Sequence, residues 1–85
     1  MSMGKNVIWN DQARAQLRAI DQATALRILR ALARYLATGE GDVKRLRDIE
    51  PPEFRLRVGD YRVRFHDHGD ILRITAVKHR REAYR

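Results

Sequence analysis

Between Phe54 and Phe65 apolar and basic side chains alternate almost one for one. Phe54, Leu56 and Val58 are separated by Arg55 and Arg57, and after Gly59-Asp60 the residues Tyr61, Val63 and Phe65 are separated by Arg62 and Arg64. A helix repeats its faces every 3.6 residues, whereas a strand with one dry and one wet face repeats every two, so this stretch predicts two strands. Gly59-Asp60 supplies the tight turn between them, which makes the pair a β-hairpin. Gly69-Asp70 marks a second turn, after which Leu72, Ile74 and Ala76 alternate with Arg73, Thr75 and Val77. A third strand is expected there, followed by a polar tail over 78–85. Such a sheet must have its apolar face covered by another element, and its other face is left carrying guanidinium groups.

The N-terminal half supplies the cover. Val7-Ile8-Trp9 reads as a short strand, and Asn10 is a suitable N-cap with Asp11 in the first turn, where a negative charge suits the helix dipole. Ala13, Leu17 and Ile20 follow at helical spacing. Asp21 then interrupts that face and caps a second helix, whose predicted apolar stripe is Ala25, Ile28, Leu29, Leu32 and Leu36, with Arg27, Arg30 and Arg34 pointing elsewhere and Gly39 as the stop. The short connection predicts an antiparallel helical hairpin. Residues 43–53, with Pro51-Pro52 and mixed charges, read as a loop with one helical turn at Val43 to Leu46. The expectation is an α+β domain over 1–85 in the order β-α-α-β-β-β, an antiparallel sheet packed against a two-helix hairpin. Its helices cover the face of Phe54, Leu56, Val58, Tyr61, Val63, Phe65, Leu72, Ile74 and Ala76.

Length and composition narrow the chemistry. At 85 residues with no cysteine, the chain has room for one core and no thiol nucleophile or thiolate metal site. No apolar run exceeds three residues, which predicts neither a membrane span nor a signal peptide and therefore a cytoplasmic protein. The chain carries 18 Lys+Arg against 11 Asp+Glu, a net charge of +7, and the excess is concentrated after residue 42. A field of that sign draws polyanions or acidic protein partners, and composition does not choose between them.

The arginines choose further. Arg55 and Arg57 on one strand, Arg62 and Arg64 on the next, and Arg73 on the third are predicted to share a sheet face. The planar forks of these side chains suit phosphate oxygens, and between Phe54 and Phe65 only Asp60, in the turn, is negative. An RNA or DNA backbone explains such a face better than solubility does. His66 and His68 flank Asp67 at a turn without a companion carboxylate cluster, so no metal site is expected. His79, beside Arg80 and close to Tyr84, is a candidate acid or base, and Trp9 and Tyr35 are read as packing residues. No Gly-rich phosphate loop, nucleophile elbow or paired carboxylate motif occurs, so an enzyme built on this sequence would rely on its arginines. RNA allows that, because its own 2′-hydroxyl is the nucleophile and the protein need only align it, neutralise the phosphate and help protons move.

These residues resemble the RelE/ParE superfamily of toxins from toxin-antitoxin pairs over nearly the whole chain. The opening Val7-Ile8-Trp9-Asn10, the run from Phe54 to Phe65 with its Gly59-Asp60-Tyr61-Arg62-Val63 segment, and the ending Val77-Lys78-His79-Arg80-Arg81-Glu82-Ala83-Tyr84 carry the likeness. The resemblance to the RelE-like branch implies an endoribonuclease, independent of metal and cofactor, that cuts messenger RNA in the ribosomal A site and so inhibits translation. It implies a cognate antitoxin in a hetero-oligomeric complex, and no membrane partner. Carried over by position, the site falls on Arg55, Arg57, Arg62, Arg80 and Tyr84. Arg62 would hold the scissile phosphate, Arg80 would assist the leaving 5′-oxygen and Tyr84 would stack on a nucleotide. Arg64, Arg73, Lys78 and Arg81 are expected to contact RNA. The chain departs from well-known RelE-like members at Arg55 and Arg57, where lysines are frequent. Arginine is a poor base, so proton transfer falls to His79 or proceeds without a strong base. The same superfamily implies an alternative, a ParE-like inhibitor of DNA gyrase with no nuclease activity, and, beyond it, a degenerate member that only binds its antitoxin.

Overall fold

The computed structural model describes residues 6–47 and 52–83. In chain order it contains β1 (Asn6–Trp9), α1 (Asp11–Arg18), α2 (Gln22–Thr38), β2 (Asp42–Arg47), β3 (Glu53–Val58), β4 (Tyr61–Asp67), β5 (Ile71–His79) and α3 (Arg80–Ala83). The five strands form one sheet in the order β1-β5-β4-β3-β2. The pairs β2–β3, β3–β4 and β4–β5 are antiparallel, and β1 runs parallel to β5. This is the α+β arrangement that the change of period predicts, except that the parallel β1 makes the sheet mixed where an antiparallel one is expected.

Local chemistry sets the helix ends. Asn10 Oδ1 accepts from the Ala13 amide at 2.7 Å, and Asp21 Oδ2 accepts from the Thr24 amide at 3.0 Å, so each cap satisfies a first-turn donor that has no partner inside its helix. The second helix stops at Gly39, whose φ of 78° lies in the left-handed region that glycine enters without steric cost. Helix α2 then lays Ile28 and Leu32 into a core with Leu56, Val63, Phe65, Leu72, Ile74 and Val77, and Ala13 of α1 joins them. Phe65 is its centre, stacked on Phe54 at 5.5 Å between ring centroids and tilted against Tyr35 at 5.7 Å.

The structure corrects the sequence reading in four further places. Leu29, expected in the α2 stripe, is 40% exposed, because the helix is turned so that Ala31, Tyr35 and Leu36 join Ile28 and Leu32 on the buried side and Tyr35 reaches Phe65. Of residues 43–53, expected to be loop with a helical turn at Val43 to Leu46, Glu53 opens β3 and 43–47, together with Asp42, form β2. Its register shifts between Arg45 and Arg47, which explains why Val43 and Leu46 sit three apart instead of alternating. Ala76 is not on the helix-covered face. The β4–β5 register shifts at Arg64/Phe65, so that Arg64 opposes Ala76 while Phe65 opposes Ile74, and Thr75 is the extra residue. The alternation changes phase there, and Val77, opposite Val63, takes the core position. Finally, residues 78–83 of the predicted tail form the end of β5 and the short α3, with the Arg80 amide bonded to the Asp60 carbonyl at 2.6 Å.

Candidate functional site

Directly opposed residues in a sheet project to the same side, so the register assigns the charged face. One row across four strands reads Asp42, Arg57, Arg62, Lys78, and the next reads Lys44, Arg55, Arg64, Ala76. Beyond the bulge a third row holds Glu53, His66, Arg73 and Ile8. Helices α1 and α2 pack on the opposite face, so these rows lie on the side they leave uncovered. Arg55, Arg57, Arg62, Arg64 and Arg73 are therefore brought together as the alternation predicts, and the phase change at Thr75 adds Lys78 to them.

Arg62 differs from the others. It is 5% exposed, the buried charged residue among those described. Its Nη1 donates to the carbonyls of Gly59 at 3.0 Å and Tyr61 at 3.1 Å, so the β3–β4 turn grips one arm of the guanidinium. Its Nε is buried with no acceptor. A buried donor left unpaired costs about 1–3 kcal/mol, and more on a charged group, so the site holds a desolvated cation with an unmet donor. Gly59, at φ of 58°, makes this possible by turning the chain through a conformation that a side chain would disfavour.

The flanking cations are differently engaged. Arg64 Nη1 stands 3.9 Å from Glu53 Oε2, a loose ion pair, so the face contains an acid that the alternating stretch did not reveal. Asp42 is the second, opposite Arg57 at the sheet edge. Among the described residues no carboxylate lies within ion-pair distance of Arg57, Arg62, Arg73 or Lys78. His66 Nδ1, like Arg62 Nε, is buried without a partner. The His66 and His68 rings are 6.3 Å apart, and among the described residues no three His, Cys, Asp or Glu gather as metal ligands.

The C-terminal candidates divide. Arg80 is exposed at the start of α3, and the Asp60 carbonyl anchors its amide beside the same turn that grips Arg62. Arg81 is also exposed. His79 is on the other side of the sheet. It opposes Tyr61, its ring meets the Tyr61 ring edge-on at 5.3 Å, and it lines a cleft with Gln16, Ile20 and Glu82 on the helix-covered face. Its Nδ1 accepts from the Arg81 amide at 3.2 Å. The phase change at Thr75 is the cause: without it His79 would have fallen on the arginine side. Tyr84 lies outside the described residues.

The comparisons with known proteins agree on one lineage. Residues 7–84 match the family model of the ParE toxin of the type II toxin-antitoxin system parDE. The chain belongs to this family, within the RelE/ParE superfamily, and is a toxin of a type II toxin-antitoxin system. Its fold is similar to a chain of the archaeal RelE-RelB complex from Pyrococcus horikoshii, with a TM-score of 0.75 and 24% identity over 92% of this chain and 97% of that one. It is similar to the RelB-RelE complex from Methanococcus jannaschii, at 0.74 and 20% over 91% and 94%. A chromosomal ParDE system from P. aeruginosa also matches, at 0.63 and 16% over 92% and 98%. No curated protein matches by sequence.

Proposed function

We propose that this toxin is a ribosome-dependent endoribonuclease that needs no metal and cleaves messenger RNA in the A site. The observation that carries the reading is Arg62. A buried guanidinium, fixed from one side by turn carbonyls and flanked in its row by Arg57 and Lys78, has a donor without a partner. A phosphate oxygen supplies what it lacks, and a preorganised cation stabilises the charge that develops on phosphorus oxygens as the 2′-hydroxyl attacks. Arg55, Arg57 and Arg80 clamp the neighbouring backbone. His79, on the far face, has no part in this reading. Tyr84 keeps its role as a stacking residue within the proposal.

The partner proposed for the chain is a cognate antitoxin, as in the RelE-RelB and ParDE complexes it resembles. An acidic antitoxin segment over the arginine face would neutralise the surface that RNA needs. A second reading, inhibition of DNA gyrase without nuclease activity, is favoured by the family model that matches, which is that of ParE.

Inducing the chain in cells separates the two. The ribonuclease reading expects early loss of protein synthesis with new RNA 5′ ends, and expects Arg57→Ala to suppress both. Arrested replication and altered supercoiling with intact messages would instead support gyrase.

A further inference from the structure

Of the chain's 18 basic residues only three are lysines, and two of these, Lys44 and Lys78, lie on the arginine face. The distinction is chemical. A guanidinium holds its proton to pH values above about 12 and acts as a fixed charge, whereas an ammonium can hand a proton to a strongly basic oxygen and regain it from water. Lys44 is on β2, two strands from Arg62, roughly 10 Å away at the usual strand spacing. Lys78 is the residue directly opposite Arg62, and side chains so placed leave the sheet about 5 Å apart at Cβ. Lys78 is half-buried, and among the described residues it has no ion-pair partner to hold it elsewhere. The groups around it are Arg62 and, one strand further, Arg57 in its own row, Ala76 two residues before it, and Arg80 at the start of α3, whereas Glu82 accepts from the His79 amide at 3.2 Å and lines the cleft on the helix-covered face.

We infer that Lys78 is the catalytic proton donor of this site, protonating the leaving 5′-oxygen of the RNA while Arg62 holds the phosphate. The inference rests on the ribonuclease reading and adds the residue that the arginines cannot replace. In the step, the 2′-oxygen bonds to phosphorus and its proton goes to solvent. The P–O5′ bond breaks with its electron pair remaining on O5′, and the Lys78 ammonium gives that oxygen a proton. The products are a 2′,3′-cyclic phosphate and a 5′-hydroxyl end, and the amine recovers its proton from water.

A substrate whose leaving oxygen is replaced by sulfur tests this, because a 5′-thiolate departs without protonation. Single-turnover cleavage on programmed ribosomes is measured for the unmodified chain, Lys78→Arg and Lys78→Met, each with ordinary and with 5′-thio messenger RNA. Both variants are expected to lose about 10²-fold or more on the ordinary message, the scale of general acid catalysis, and to cleave the thio message within about threefold of the unmodified chain. Recovery on the thio message also shows that the variants fold and bind. The proposal is overturned if Lys78→Arg cleaves the ordinary message at the unmodified rate, which would make Lys78 a charge only. It is equally overturned if both messages lose the same factor. Should the unmodified chain cleave neither, the ribonuclease reading itself fails and this step falls with it.

Discussion

Asp21 shows how much one polar side chain settles. Its carboxylate accepts from the Thr24 amide, and that bond, with a further one to the Thr24 side chain, holds its pKa below the ordinary 3.8. The folded value being the lower one, the contribution to stability is complete above 3.8 and disappears as pH falls through the folded value. Asp21→Asn keeps an acceptor that does not titrate. The stability difference between the two chains should therefore be constant from about pH 5 to 8 and change sharply only below about pH 4, as followed by urea denaturation across pH. A difference that is flat down to pH 2 would show that the charged form has no special place in the cap.

At the scale of the element, the extra residue in β5 decides more than any propensity. Strict alternation puts Val77 on the wet face and Ala76 in the core, whereas the register shift at Thr75 reverses them. Val77 sits opposite Val63 at 3% exposure, and its amide is held by Gln16 Oε1 of α1 at 2.6 Å, so the bulged strand is tied to the helix that covers it. Val77→Ala should cost about 2 kcal/mol in chemical denaturation, the scale of removing buried methyl groups, where a surface position would lose less than about 0.5. The same shift carries Lys78 to the arginine face and His79 away from it. Bulges near functional sites re-aim side chains in this way.

For the whole molecule, charge and layering act together. The helices pack on one sheet face, and the opposite face gathers cations of which Arg57, Arg62, Arg73 and Lys78 lack carboxylate partners among the described residues. A single-stranded RNA seated on four such charges releases counterions, so log K against log salt should have a slope of about −3. Arg57→Ala should reduce its magnitude by about 0.7 in a fluorescence-anisotropy titration with an RNA oligonucleotide over a salt series. A slope near zero would remove the phosphate backbone from the account of this face.

Period, caps and turns are local, and they were readable directly. The helix starts at Asn10 and Asp21, the stop at Gly39, the hairpin about Gly59-Asp60 and the shared face of Arg55, Arg57, Arg62 and Arg64 all follow from spacings within a few residues, because such features depend on neighbours along the chain. What needed the fold depends on neighbours across it. A bulge leaves no mark until a partner strand is beside it, so β2, the inward turn of Val77 and the side on which Lys78 and His79 emerge could be assigned only once the strands were paired. The burial of Arg62 is of the same kind: alternation makes it one arginine among several, and only the turn carbonyls that grip Nη1, with nothing to meet Nε, make it the residue around which the face is organised.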